Sequence, residues 1–176
     1  VFRMSLFIPY VLPSVVSAAL WRSLFSPDRG IPAFLTDLGV PGFNKAFLGD
    51  SRTALPAIAF IDNWHWWGFL MVLFLASMQN IPPDLYESAR LDGANRWQEF
   101  RDVTLPGIRP TIVFMILMTT IWSFLTFDYI WILTQGGPAR ATEVLSVLVY
   151  KEAFRNFNAG YAAAIGLTMS FFVGCV

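Results

Sequence analysis

The chain has 176 residues, of which 56% are hydrophobic and only 14% are charged, against about 25% charged in an ordinary soluble domain. This composition excludes a disordered chain, which would be poor in apolar residues and rich in charge, and the single cysteine excludes a disulfide scaffold. The formal net charge is zero, which removes the electrostatic argument for nucleic acid as a partner.

The charges fall between four long apolar stretches, two of which hold no charge and two of which hold one aspartate each, Asp62 or Asp128. A helix that crosses a bilayer needs about 20 mostly apolar residues. A soluble protein with buried core helices is the alternative, but soluble helices of this length carry a charged face. The sequence therefore predicts an all-α, polytopic transmembrane helical bundle with four spans, at residues 3–25, 54–79, 110–133 and from about 161 onward.

The first predicted span contains Pro9 and Pro13, which remove backbone hydrogen bonds and kink a helix. Membrane helices tolerate such prolines when neighbouring groups satisfy the freed carbonyls. Residues 26–53 then form a polar connection, in which we expect one short helix at 31–38.

The third predicted span begins at Pro110, because Pro106 is expected to end the helix before it. Gly136-Gly137-Pro138 should end this span in a turn, and residues 139–158 should form a partly helical polar connection. The fourth span starts near Tyr161 with small residues, which let helix backbones approach closely.

The segment between the second and third spans has too many charges to lie in lipid, and its regular pattern of helix-capping residues is not that of a flexible loop. Pro83 can begin a short helix, and Gly93 can end it in the left-handed conformation that glycine adopts easily. Asn95 can cap a second helix, with Gln98 three residues later as its reciprocal partner. The pattern predicts a helix, a glycine turn and a second helix outside the membrane.

This segment resembles the EAA loop of ABC importer permeases. The family pattern is Glu-Ala-Ala, three residues, Gly, nine residues, Ile, one residue and Leu-Pro; here ESA at 87–89, Gly93, Val103 and LP at 105–106 stand at those spacings. The departures, serine for alanine and valine for isoleucine, are conservative. Flanking residues, including LTQGGP at 133–138, resemble the sugar and glycerol-phosphate branch, and in particular its maltose-type first permease subunit.

The resemblance implies that residues 82–106 are a cytoplasmic coupling loop within a permease domain that covers 1–176. A helix over 83–92 would dock in a cytoplasmic ATP-binding subunit, using an apolar face, charged anchors and the glycine turn. The implied coupling residues are Leu85, Glu87, Ala89, Arg90, Asp92 and Gly93. A solvated helix pair that merely links two spans is the alternative.

The same resemblance implies a set of partners and a location. We expect a second permease subunit in a heterodimer, two ATP-binding subunits and an extracytoplasmic solute-binding protein, in the inner membrane of a bacterium or archaeon. We also expect the chain to be a piece of a longer protein with about six spans, truncated at its N-terminus and at its C-terminus. Charge alone does not orient the chain, since five of the twelve lysines and arginines fall on the coupling-loop side and seven on the other.

Polar groups inside the second and third spans indicate a substrate path, because such groups are costly in lipid and face a cavity or a neighbouring helix. Aromatic faces bind the C–H surfaces of sugars, and polar groups bind their hydroxyls. By their position in these spans, the resemblance implies a transport site lined by Asp62, Trp66, Phe69, Thr119, Trp122, Ser123 and Thr126. Ordinary helix packing, with serine and threonine bonding across helices, is the alternative.

Catalysis, metal binding and proton transfer are each supported by only one or two residues of the sequence. Asp62 and His65 resemble an acid–base pair or half of a metal site, and no metal is expected from two ligands. Asp62 with Asp128 could relay protons in a secondary transporter, which is the alternative function. Neither Lys45 nor Lys151 follows a phosphate-binding glycine loop, so no cofactor is expected here, and ATP and magnesium would bind the partner ATPase. The chain is not predicted to be an enzyme.

Overall fold

A computed structural model describes residues 2–40 and 46–175; residues 41–45 of the predicted polar connection, Lys45 among them, lie outside the described part. The described residues form helices and turns without a strand, which confirms the all-α class. The helices are α1 (Phe2–Val11), α2 (Ser14–Leu24), α3 (Ile31–Asp37), α4 (Ala54–Gln79), α5 (Pro83–Leu91), α6 (Arg96–Gln98), α7 (Leu105–Leu125), α8 (Asp128–Leu133), α9 (Leu145–Tyr150) and α10 (Ala159–Gly174). Two π-helical segments, Glu99–Thr104 and Lys151–Arg155, follow α6 and α9.

Among the residues that the structure describes, two helical stretches are long and apolar enough to cross a membrane. The first is α4, whose 26 residues match the predicted span at 54–79, and the second runs from α6 through α8 over 38 residues, Arg96–Leu133. The bent pair α1–α2 gives a third crossing only if the two helices together form one span. The described α10 has 16 residues, fewer than the roughly 20 that a span needs. The prediction of four spans is therefore confirmed for two of them.

The first predicted span is not one kinked helix, because the chain turns by 113° between α1 and α2. Pro13 stands at the start of α2 with an extended backbone, φ −55° and ψ 141°. A proline also disfavours the helical conformation in the residue before it, which is Leu12 here. Leu12 and Pro13 thus interrupt the helix, and this interruption is enough to change the direction of the chain. Pro9, by contrast, is accommodated inside α1.

The prediction that Pro106 ends a helix and that a new span begins at Pro110 is wrong. The π-helical segment Glu99–Thr104 continues directly into α7, in which Pro106 occupies the first turn and Pro110 lies inside. The wider π turn bonds Leu105 N–H to the carbonyl oxygen of Phe100, five residues back. A wider turn leaves more room for the proline ring, which in an α-helix collides with the carbonyl four residues earlier.

The core lies where α2, α4, α8 and α9 meet. Trp21 packs edge-on against Trp64 and Phe60 of α4, with ring centroids 5.3 and 5.4 Å apart. The fully buried Ile61 and Val147 belong to the same cluster. The second predicted span thus has one face against this core, while large apolar side chains such as that of Trp67 remain exposed. An exposed apolar surface of this kind suits contact with lipid.

Gly68 allows α4 to approach α1 closely. A Cβ atom added to Gly68 would lie 2.6 Å from the Cα of Phe7 and closer still to the carbonyl oxygen of Leu6. Both neighbours are backbone, which cannot move aside as a flexible side chain can. We therefore expect Gly68→Ala to destabilise the protein by about 1–3 kcal/mol, the usual effect of overpacking. Thermal unfolding in detergent would measure this loss.

Gly166→Ala is the matched control for Gly68→Ala. Gly166 also lies inside an apolar helix, and an added Cβ would meet no atom within 4 Å. Alanine should therefore be neutral or slightly stabilising at Gly166, since it is the better helix former. Equal unfolding midpoints for the two variants would contradict the close approach of α1 and α4.

The predicted turn at Gly136-Gly137-Pro138 is confirmed, and a polar cluster surrounds it. The fully buried Thr142 donates to the carbonyl oxygen of Gly137 at 2.7 Å and contacts the Thr134 hydroxyl at 2.7 Å. The Glu143 carboxylate pairs with Lys151 at 2.6 Å and with Arg140, and its side chain is only 8% exposed. These bonds hold the turn against the start of α9.

The hydrogen bonds from Lys151 and Arg140, together with their charges, lower the pKa of Glu143 below its ordinary value, although burial of the carboxylate opposes them. A depressed folded-state pKa contributes stability above the unfolded value of about 4.3, and this stability is lost as pH falls through the folded value. We expect Glu143→Gln to be less stable than the parent at pH 7, and the difference to shrink below about pH 4. Unfolding midpoints in detergent across pH 3–7 would measure the convergence; a constant difference would contradict it.

Candidate coupling loop and solute path

The α5 helix is fixed at both ends. Pro83 is its first residue, as predicted, and its C-terminus closes on Gly93, whose φ is +80°. Gly93 N–H donates to the carbonyl oxygen of Arg90 at 3.0 Å, and Ala94 N–H to that of Ala89 at 2.9 Å. This is the Schellman pattern of helix termination, and the positive φ explains why glycine is required there.

The second helix of the loop begins at the predicted residue. The Asn95 side chain accepts hydrogen bonds from the N–H groups of Trp97 and Gln98, both at 3.0 Å. Gln98 returns the contact, because its Oε1 accepts from Asn95 N–H at 2.8 Å. The capping box is therefore complete, and the predicted helix, glycine turn and helix are confirmed.

Two side-chain contacts join α5 to the second helix. The guanidinium of Arg90 donates to the Glu99 carboxylate at 2.8 Å, in an exposed ion pair. The hydroxyls of Tyr86 and Thr104 lie 2.9 Å apart, and Thr104 is only 4% exposed. The loop is thus a small folded unit rather than a flexible connection.

Apart from Gly93, which forms the turn, the predicted coupling residues divide into two groups. Leu85, Glu87 and Asp92 are exposed on the surface of the loop. Arg90 is engaged by Glu99 within the chain, and Ala89 is partly buried. Sequence reasoning missed Leu91, whose side chain is 89% exposed at the end of α5. The sequence contained one signal for this residue, since it is apolar and stands among charged residues at the end of a helix.

The structure brings together the aromatic residues of the predicted substrate path. The indole rings of Trp66 on α4 and Trp122 on α7 are stacked, with centroids 4.5 Å apart and planes 20° apart. Phe69 lies beside this pair, 6.1 Å from Trp122 and 5.9 Å from Trp66. Tyr10 of α1 stacks on Phe69 at 5.0 Å. The ring pair therefore stands at the junction of α1, α4 and α7.

Two cavities, of about 250 and 180 Å³, adjoin the stacked tryptophans, and both are lined by Asp62, Trp66 and Trp122. The larger one reaches Asp128 at the start of α8, where the Ser14 hydroxyl donates to its carboxylate at 3.0 Å. The remaining predicted residues are divided between the two cavities: Thr126 lines the larger one, while Thr119 and Ser123 line the smaller one.

The hydroxyls of the third predicted span bond within their own helix. Thr119 donates to the carbonyl oxygen of Met115 at 2.7 Å, Ser123 to that of Thr120 at 2.8 Å and Thr126 to that of Trp122 at 3.0 Å. A hydroxyl that donates its proton to the backbone keeps its oxygen lone pairs for another donor. These groups can therefore accept hydrogen bonds from the hydroxyls of a solute.

Breaks in the helices shape the larger cavity, and sequence reasoning missed the residues that they bring there. The predicted third span is interrupted after Leu125, where Thr126 leaves the helical conformation with ψ 117°. This break turns Asp128 toward Ser14, which follows the break at Pro13. The break between α1 and α2 was indicated in the sequence by Pro13. No comparable residue indicated the break at Thr126.

His65 lines the larger cavity among aromatic rings, with Tyr10, Trp66 and Tyr129 all within 6.0 Å of its ring. No residue in the described part accepts from or donates to its buried Nδ1 atom. Within 2–40 and 46–175, no group of three or more His, Cys, Asp or Glu side chains is placed to hold a metal ion.

Fold and site together define a helical membrane protein in which a folded helix–turn–helix loop is joined directly to an apolar helix that lines a polar and aromatic cavity. A sequence profile for the inner-membrane components of binding-protein-dependent transport systems matches residues 1–176. The chain belongs to this family.

Several curated relatives are ABC transporter permeases. The probable permease protein YurN of Bacillus subtilis is 38% identical over 165 residues, covering 93% of this chain and 56% of the relative. The trehalose/maltose transport system permease protein MalF of Thermococcus litoralis is 37% identical over 161 residues, covering 91% and 52%. The chain thus spans about half the length of the curated relatives it matches.

A solved structure has the same fold. A chain of a bacterial alginate ABC transporter, crystallised with an alginate pentasaccharide-bound periplasmic protein, superposes with a TM-score of 0.88 at 27% identity. The match covers 98% of this chain and 60% of the solved one.

Proposed function

We propose that the chain supplies half of the transmembrane path of an ATP-driven importer for a sugar or related polyol, within a permease domain over 1–176. The arrangement of Trp66, Trp122 and the polar groups around them carries this proposal. Stacked indoles present apolar edges and outer faces, while Asp62 and the threonine oxygens accept hydrogen bonds. A cavity that combines both kinds of group suits a ring with C–H faces and hydroxyls.

The solute is expected to be neutral. Asp62 and Asp128 line the same cavity of about 250 Å³, and an ionised carboxylate in the solute would be repelled by either aspartate if charged. Relatives are named for trehalose, maltose and multiple sugars, which supports a saccharide as the class. A second solved structure, with a TM-score of 0.79 at 27% identity, is described as a transporter involved in the import of the acidic polysaccharide alginate, so this chain would differ from that transporter in the charge of its solute.

Residues 82–106 are the proposed coupling loop. Leu85, Glu87, Asp92 and the newly found Leu91 form its exposed surface, and an apolar contact with a charged rim is typical of a docking site. The partner would be a cytoplasmic ATP-binding subunit, which would also hold ATP and magnesium. Gly93 would fix the direction in which the loop leaves α5.

The complete transporter would contain this permease, a second permease subunit, two ATP-binding subunits and an extracytoplasmic solute-binding protein. It would lie in the inner membrane of a bacterium or archaeon, with this chain crossing several times. The comparisons give no support to the proton-coupled alternative, in which Asp62 or Asp128 would titrate, and no second function is proposed.

Affinity purification of the full-length permease from its native membrane tests this function. Mass spectrometry should find an ATP-binding subunit in the purified material, and hydrolysis of ATP should accompany it. Clean isolation of well-expressed, folded permease without any ATP-binding subunit would contradict the proposal.

A further inference from the structure

We propose that Tyr86 and Thr104 are positioning residues that transmit movement of the α5 helix to the solute cavity. This inference rests on the proposed function, since it assumes that an ATP-binding subunit moves α5. Its basis is the 2.9 Å contact between the two hydroxyls, one on α5 and the other at the last residue of the π-helical segment.

The loop needs such a link because its backbone connection contains a glycine turn. Between α5 and the second helix the chain passes through Gly93, at φ +80°, then Ala94 and Asn95. The caps fix each helix end, but a push on α5 could be absorbed by rotation about this turn. Side-chain contacts between the two helices are therefore what makes them move together.

Of the two contacts, the hydroxyl pair is the stronger restraint. In the ion pair, the Arg90 side chain is 64% exposed and that of Glu99 is 14% exposed, and a pair that is open to water on one side is weakened because water and salt screen it. Thr104 is 4% exposed, so water competes little for its contact with Tyr86. Its hydroxyl also donates to the carbonyl oxygen of Glu99 at 3.4 Å, which leaves its lone pairs free to accept the proton of Tyr86. Tyr86 also lies four residues before Arg90, so the two contacts hold successive turns of α5.

From Thr104 the path to the cavity is a single helix. Thr104 is followed directly by Leu105, the first residue of α7, without any intervening loop. Thr119 and Trp122 lie on the same helix, and Trp122 stacks on Trp66. A displacement at Thr104 would therefore shift one ring of the stacked pair relative to the other.

The test uses the assembled transporter in lipid nanodiscs, with the permease at full length. Cys175 and any other cysteine are replaced by serine, and one spin label is attached at Ser123→Cys beside the smaller cavity. The non-hydrolysable nucleotide AMP-PNP with magnesium is then added, and the change in the label's mobility is recorded. No transported solute is needed for this readout.

Tyr86→Phe and Thr104→Val each remove one hydroxyl while keeping the size of the side chain. We expect both to reduce the nucleotide-dependent change of the label at least fivefold, the lower end of measured couplings between sites. Co-purification of the ATP-binding subunit and its binding of AMP-PNP should be unchanged. Thr104→Ser, which restores the hydroxyl, should recover the response.

Tyr161→Phe is the matched control, since Tyr161 is an exposed tyrosine on α10. A full response in this variant and a weak one in Tyr86→Phe support the link. A full response in both Tyr86→Phe and Thr104→Val, with the ATP-binding subunit present, overturns the inference alone. Failure of the wild type to co-purify with any ATP-binding subunit overturns the proposed function as well.

Discussion

Glu87→Lys in the full-length permease is expected to reduce the amount of co-purifying ATP-binding subunit at least tenfold, equivalent to about 1.4 kcal/mol of binding free energy. Glu87 lies on the exposed surface of α5, next in sequence to Tyr86 but outside its hydroxyl contact. Reversal of its charge replaces a favourable contact across the proposed interface by repulsion, and like charges in an interface cost several kcal/mol. Quantitative mass spectrometry of the purified material measures the ratio of the two subunits.

Asp28→Lys is the matched control, because Asp28 is also exposed but precedes α4, which places it at the other membrane face if α4 spans the bilayer. The same charge reversal there should leave the subunit ratio unchanged.

Gly93→Pro should also reduce the amount of co-purifying ATP-binding subunit, because proline cannot adopt the observed φ of +80° and has no N–H to donate to Arg90. Retention of the ATP-binding subunit by both Glu87→Lys and Gly93→Pro would show that α5 is not its docking site.

Trp122→Ala is expected to lower solute uptake by at least tenfold while the subunits still assemble. The substitution removes one ring of the stacked pair and joins the two cavities that Trp122 lines. Stacking alone contributes about 0.5–1.5 kcal/mol beyond the buried area, and lost contact with the solute adds to it. Uptake of radiolabelled neutral sugars is measured in cells, with the sugar that the wild type takes up best used for the variants.

Trp67→Ala controls for the loss of a large aromatic side chain from the same region. Trp67 is adjacent to Trp66 on α4, but its side chain is 47% exposed, and it lines neither cavity. Uptake by this variant should stay close to that of the wild type. If Trp122→Ala and Trp67→Ala have the same effect, Trp122 has no particular role in the path.

The sequence predicted best where local chemistry determines structure. The helix ends of the 82–106 loop were predictable from Pro83, Gly93, Asn95 and Gln98, because each acts through its own backbone or through a residue a few positions away. The bounds of α4 were equally predictable, because prolines at both ends of an apolar stretch limit where the helix can begin and end. The structure also brings Trp122 and Thr126 beside Asp62 and Trp66 of α4, as the resemblance implied from their positions in the spans.

The failures involved prolines and packing between distant segments. Pro106 was expected to end a helix. The π turn before it is a backbone conformation that no residue type predicts clearly. Pro13 redirects the chain by 113°, where a kink was expected, because α2 packs against α8 far along the sequence. The contacts of Tyr86 with Thr104 and of Ser14 with Asp128 likewise depend on how the elements meet.

The completed caps of the proposed coupling loop have a consequence for the thermodynamics of assembly. The Schellman turn at Gly93 and the reciprocal bonds of Asn95 and Gln98 order this segment before any partner arrives. A segment that folded only on docking would lose conformational entropy at that moment and bind more weakly for the same contact area. Because the loop is already ordered, its association with an ATP-binding subunit should show a small heat-capacity change, set by the docking surface alone.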